Sequence, residues 1–265
     1  LRLQLVRHRG ELEEAIRFAR ETLALSPQDD PLVHGYGHLG LAHAYRELGD
    51  YEASRSAYVE GMALMRGAGN KSSACLAAFY LCRVLLLLGR PQEAVQTVRD
   101  AMAFMDAQDA TESPAYGILH VALGSLLCER NELQKAERHL LRGRTMSRRG
   151  GHHVYLRNAA VAMARLRLAQ GDAVEALDAI RDAQLVTPKA HMPLPSAELA
   201  AYEARVWLAE GNLPAAVRWV EQASSRGGED DGTTRQVEAT TRARVLLAQG
   251  KLKEALVELE TWERI

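Results

Sequence analysis

Four arginines hold the same place relative to a recurring turn. Arg83, Arg165, Arg205 and Arg244 each stand six residues before a glycine that reads as a helix end, at Gly89, Gly171, Gly211 and Gly250. His43 and Ser125 hold that place before Gly49 and Asn131. A guanidinium is a planar fork of N–H donors that matches a carboxylate or phosphate with two bonds at once. Stacked at successive repeats, these side chains would line a concave face with a cationic column suited to carboxylates, phosphates or an acidic peptide. A second reading stands beside it: the arginines pair with acids on adjacent helices, such as Glu47, Glu129, Glu198, Glu203 and Glu238, and merely solvate a face. The same register adds Tyr36, Phe79 and Asn158, with Leu39, Arg46, Leu86, Val121, Val161 and Thr240. That mixture of aromatic walls and hydrogen-bonding groups suits a sugar or small effector, and it suits ordinary helix packing equally.

Other chemistry is sparse. His34 and His38 are spaced by four, as metal ligands on one helix face are, but no third ligand or His-Glu-x-x-His order accompanies them, and no metal site is expected. His152 and His153 follow two glycines and read as capping or loop residues. The sequence has no Gly-x-Ser-x-Gly elbow, Asp230 and Asp231 lie in a polar loop, and Cys128 with His120 reads as core. The expectation is a binding protein, not an enzyme.

The elements that position these residues follow from a repeat. A turn residue followed five positions later by a small one occurs seven times: Gly10 with Ala15, Gly49 with Ser54, Gly89 with Ala94, Asn131 with Ala136, Gly171 with Ala176, Gly211 with Ala216, and Gly250 with Ala255. Successive turns are 39, 40, 42, 40, 40 and 39 residues apart. Glycine, and next best asparagine, accepts the left-handed conformation that ends a helix. Asp50, Asp172 and Asn212 then read as N-caps, and Pro91 fits a first helical turn. Seven residues before the turns stand Ala42, Cys82, Gly124, Ala164, Ala204 and Ala243, so both helices are notched where they cross. First helices are predicted near 32–47, 72–88, 114–130, 153–170, 195–210 and 233–249, and second helices near 11–25, 51–66, 91–106, 133–148, 173–186, 213–225 and 252–263. Ser26–Pro31, Thr187–Pro195 and Arg226–Thr233 read as loops between hairpins. The predicted fold is all-α: a single right-handed superhelical α-solenoid over 1–265, built of about seven hairpins.

Leu41, Ala42, Tyr45, Gly49, Asp50, Tyr51 and Ala53 occupy places that resemble the tetratricopeptide motif. The period near 40 is longer than the roughly 34 residues of that repeat. It is similar to that of the repeat domain of large ATP-binding LuxR-type transcriptional regulators, the MalT-like group. Three segments carry this resemblance across nearly the whole chain: Ala243–Leu256 (ARVLLAQGKLKEAL), Trp207–Trp219 (WLAEGNLPAAVRW), and Glu129–Leu140 (ERNELQKAERHL) with the following Arg148–Gly151. The resemblance implies an inducer-sensing platform, set between an N-terminal nucleotide-hydrolysing module and a C-terminal DNA reader. It implies a small-molecule inducer or a regulatory protein as partner. A stand-alone adaptor for an acidic or extended peptide is the alternative.

Composition bounds these readings. With 33 basic and 34 acidic residues the net charge is -1, so no global field draws the chain to nucleic acid or membrane. No Gly-x-x-x-x-Gly-Lys-Ser/Thr loop occurs, so no cofactor is expected here and ATP would belong to a module outside these residues. Cys75, Cys82 and Cys128 lie in apolar helical stretches without a Cys-x-x-Cys pair and read as buried thiols of a reducing, cytoplasmic protein. The chain opens at Leu1 without methionine and stops at Ile265, which reads as a fragment of a longer polypeptide. Leu252, Leu256, Val257, Leu259 and Trp262 near its end are expected to stay partly uncovered and to permit homo-oligomers.

Overall fold

The computed structural model describes residues 12–25, 27, 30–151, 153–186, 197–224 and 232–263. The turn expected at Gly10, His152, the Asp230–Asp231 pair and most of the two later loops lie outside the described residues, as do the side chains of His153 and Trp262. Thirteen helices, and no strand, are found among the described residues. They are α1 Leu12–Leu25, α2 Pro31–Leu48, α3 Tyr51–Gly67, α4 Lys71–Leu87, α5 Pro91–Asp106, α6 Pro114–Glu129, α7 Leu133–Arg149, α8 His153–Ala169, α9 Ala173–Val186, α10 Ala197–Ala209, α11 Leu213–Ser224, α12 Gly232–Ala248 and α13 Leu252–Glu263. Every predicted helix is present, with ends within two residues of those read from the turn chemistry.

The turns explain this agreement. Gly49 ends α2 at φ 86°; its N–H donates to the Arg46 carbonyl at 3.2 Å, and the Asp50 N–H reaches the Tyr45 carbonyl at 3.0 Å. This six-to-one closure satisfies carbonyls that a helix end leaves open. It recurs at Gly89, Asn131, Gly171, Gly211 and Gly250, all with positive φ, Asn131 at 58°. The next residue then starts the partner helix. Asp50 accepts from Ala53 N at 3.0 Å, Asp172 from Glu175 N at 3.0 Å, and Asn212 from Ala215 N at 3.3 Å. Three further positive-φ residues, Gly69, Asp109 and Gly151, close the opposite ends of hairpins, each 20 residues after a hairpin turn.

The small residues are buried as the notch requires. Ala15, Ser54, Ala94, Ala136, Ala176, Ala216 and Ala255 are at most 2% exposed, and Ala42, Cys82, Ala164, Ala204 and Ala243 at most 3%. The two series meet: Ser54 Oγ donates to the Ala42 carbonyl at 2.7 Å. A Cβ on Gly124 would stand 3.2 Å from the Ala136 carbonyl oxygen and 2.6 Å from Leu140.

The chain divides into two compact units, 1–123 and 124–265, with the boundary inside α6. In the first, α1 packs on α2, α2 on α3, α3 on α4 and α4 on α5. In the second, consecutive helices from α7 to α13 pack in turn, and the first helices of neighbouring hairpins also touch, α8 with α10 and α10 with α12. That is the neighbour-only stacking of an α-solenoid of tetratricopeptide-type hairpins. Large side chains fill the layers, including Tyr58, Met65, Met105, Leu140, Leu166 and Ile180, each fully buried. Cys75 and Cys82 lie within this packing, and burial pushes both thiols up to about 12. Cys128 differs from the expectation in being only partly buried. No described helix is long and apolar enough to cross a membrane.

Candidate anion-binding site

Helix-on-helix stacking puts three register arginines on one face of the 124–265 unit, from α8, α10 and α12. Arg165 reaches Glu129 on α6, a charge pair 36 residues apart. Arg205 is the most enclosed of the three. Its Nε donates to Thr241 Oγ1 at 2.7 Å, and its Nη2 to Thr240 Oγ1 at 2.7 Å and the Val237 carbonyl at 3.2 Å, all on α12. Its guanidinium also stacks over the Tyr202 ring, 4.9 Å from the centroid. Burial pushes Arg205 down to about 10, and the charges of Arg244 and Arg165 push the same way. The three cations therefore feel one another. Arg244 is exposed.

This arrangement divides the labour. Arg165 and Arg205 already spend donors on protein partners, while Arg244 offers its fork to solvent, with positive charge behind it. An anion approaching α12 would meet Arg244 first. Of the acids weighed as partners, Glu129 does pair with a register arginine, and Glu238 pairs instead with Arg242 at 3.8 Å. Burial raises the carboxyl of Glu203. Asn158, on α8, is 5% exposed and its Nδ2 donates to the Val154 carbonyl at 3.0 Å, so it serves its own helix.

Most of the other candidates lie in the 1–123 unit. His43 belongs to an aromatic cluster: its Nδ1 lies 2.8 Å from Tyr58 Oη, and its ring meets Tyr58 and Tyr80 edge-on at 5.4 and 4.8 Å. Arg46 is buried and stacks 4.7 Å over Tyr80. Arg83 lies over Phe79 at 5.9 Å, and Phe79 is 5% exposed, a core residue rather than a wall open to a ligand. Tyr36 is 53% exposed and accepts from Asn70 Nδ2 at 3.0 Å. Val121 and Val161 are buried, as core packing demands. His34 lies 3.1 Å from the Pro27 carbonyl through Nε2.

Sequence reasoning missed Tyr58, Tyr80 and Thr241. The missing signal was an offset. Glu129 meets Arg165 and Arg205 meets Thr241 at a separation of 36, one helical turn short of the 40-residue repeat.

These features define a class: a tandem helical-hairpin domain of the tetratricopeptide kind, built for protein interaction or sensing. The chain belongs to the MalT-like TPR region family, whose model matches residues 1–262. No curated protein shows significant sequence similarity to it. Among solved structures, it is similar to the apo form of RapI, at 15% identity and a TM-score of 0.66, covering 99% of this chain and 73% of that one. It is also similar to the Cut9–Hcn1 hetero-tetramer of the APC/C, at 13% identity and a TM-score of 0.63, covering 98% of this chain and 45% of that one. BtubC from P. vanneervenii matches at 15% identity and a TM-score of 0.55, over 84% of this chain and 90% of that one. At such identities the likeness is one of fold.

Proposed function

We propose that this chain is the effector-sensing and protein-interaction domain of a transcriptional activator. The face of α8, α10 and α12 receives an anionic small inducer or an acidic element of a regulatory protein, and its occupancy controls ATPase and DNA-binding modules outside these residues. Family membership supports the regulatory role. The observation that carries the binding reading is the trio Arg165, Arg205 and Arg244, with Arg244 exposed in front of two cations held by their own partners. A bound anion would draw first helices together across hairpins, so its binding energy favours one packing of the repeats over another. Calorimetric titration with dicarboxylates, sugar phosphates and glutamate-rich peptides tests this. Binding that Arg244→Glu abolishes supports it; no binding by any of these anions overturns it.

A second reading is an adaptor holding an extended acidic peptide. Leu247 stands three residues from Arg244 on α12 and is 50% exposed, which would give such a peptide an apolar contact beside the charge. Binding of peptides but of no small anion in the same titrations favours it.

A further inference from the structure

Helix α7 is the second helix of its hairpin, and its outer face is strongly basic. Its sequence, LQKAERHLLRGRTMSRR, sets six lysines and arginines against one glutamate. Ala136, Leu140, Gly143 and Ser147 turn inward and are buried. The opposite side exposes Arg138, Arg142 and Arg149 along one edge, with Leu141 and Thr145 beside them. Arg144 and Arg148 form the other edge, at the rim of a cleft floored by Leu156, Ala160 and Met163 of α8 and Ala179 of α9. Arg148 finds Asp182 at 3.4 Å, whereas Arg138, Arg142 and Arg144 make no ion pair among the described residues. Unneutralised guanidinium groups this close repel one another, and their field is felt locally. The half-buried His139 is held below its ordinary range by burial first, then by Arg138 and Arg142.

We infer that the outer face of α7 is a docking surface for an acidic amphipathic segment of a partner protein, with carboxylates between the arginine edges and an apolar side chain against Leu141 or in the adjoining cleft. The spacing suits a helix: Arg138, Arg142 and Arg149 recur at intervals of one turn or two, the intervals at which glutamates recur on a facing helix. Charge complementarity would come mainly through arginine forks, which engage carboxylates bidentately. A polyanionic nucleic acid fits less well. The whole chain carries -1, so no long-range field gathers phosphates, and the exposed leucine and apolar cleft floor have no counterpart on a phosphate backbone. This surface is distinct from the α8, α10 and α12 arginines, and does not depend on them.

The test uses a synthetic amphipathic helix with glutamates at i, i+4 and i+11 and leucines on its other face, titrated by fluorescence anisotropy. The same peptide with glutamine for glutamate is the control, and duplex DNA the competitor. The glutamate peptide is expected to bind, to weaken about tenfold or more in Arg138→Glu/Arg142→Glu, and to weaken as salt rises. Repeating the titration in the Arg244→Glu background removes the proposed effector site, and the loss caused by Arg138→Glu/Arg142→Glu should be the same there. Both α7 substitutions are at exposed positions, and circular dichroism confirms that the variant keeps its helices. Equal binding of the glutamine peptide, indifference to the α7 reversals, or tighter binding of DNA than of the peptide overturns the inference.

Discussion

Arg205 on α10 donates to the hydroxyl of Thr241 on α12 at 2.7 Å, so the first helix of one hairpin is tied to the first helix of the next by a partly buried cation rather than by apolar contact alone. The neighbouring Thr240 hydroxyl and Val237 carbonyl complete the grip. The bond joins α10 to α12, two of the three helices of the proposed site.

Arg205→Ala should therefore destabilise the chain by about 1–3 kcal/mol in urea denaturation, through lost charged hydrogen bonds and lost packing on Tyr202. Arg244→Ala, at an exposed position, should change stability by less than about 0.5 kcal/mol. Equal losses in the two variants would contradict the division between a structural and a ligand-facing arginine.

Asn131 holds φ 58° where Gly49, Gly89, Gly171, Gly211 and Gly250 hold the equivalent turns. Asn131→Gly should stabilise by up to about 1 kcal/mol, since glycine enters the left-handed region without a Cβ clash. A thermal melt lower than that of the parent chain would show that the asparagine side chain contributes more than the backbone costs.

Gly124 faces the Ala136 carbonyl and Leu140, so Gly124→Val should cost about 2–4 kcal/mol by forcing α6 and α7 apart. At Gly67, the last residue of α3, a Cβ would meet nothing within 4 Å, and Gly67→Ala should be neutral or stabilising by up to about 1 kcal/mol. Paired denaturation curves check both, and a tolerated valine at 124 would mean that the crossing is not tight there.

Burial raises the Cys75 and Cys82 thiols to about 12, above the value of 9.0 for a free thiol. The folded state therefore favours the neutral form. The stability this gives is fully present below pH 9 and is lost as pH rises from 9 towards 12. Thiol titration of the folded chain near pH 8 should modify Cys128 first, with Cys75 and Cys82 reacting only as the chain unfolds. Immediate reaction of all three would contradict the packing of α4.

The fold was legible because its punctuation is chemical. A glycine at the helix end and a cap residue beside it name a turn without reference to the rest of the chain, and the alanine five residues on names the crossing. The opposite ends of the hairpins were harder. Asp109 takes a left-handed turn without the glycine that marks the others, and Gly69, though followed five residues later by the buried Ala74, falls midway between the turns of the 40-residue series. The register arginines were legible as a series but not by role. That Arg205 is fastened to threonines depends on a residue 36 positions away, which the series of turns does not bring into view. Phe79 and Asn158 were read as facing a ligand because helical spacing alone does not distinguish a groove from the packed interior, where both are buried.

The most direct test of an anion site on these helices is calorimetric titration of the chain and of Arg244→Glu with the same dicarboxylates and sugar phosphates. At least one of these small anions is expected to bind the parent chain, and the reversal to abolish the heat while leaving the thermal melt in place. Binding that survives the reversal, or no binding at all, would contradict a site on the α8, α10 and α12 face.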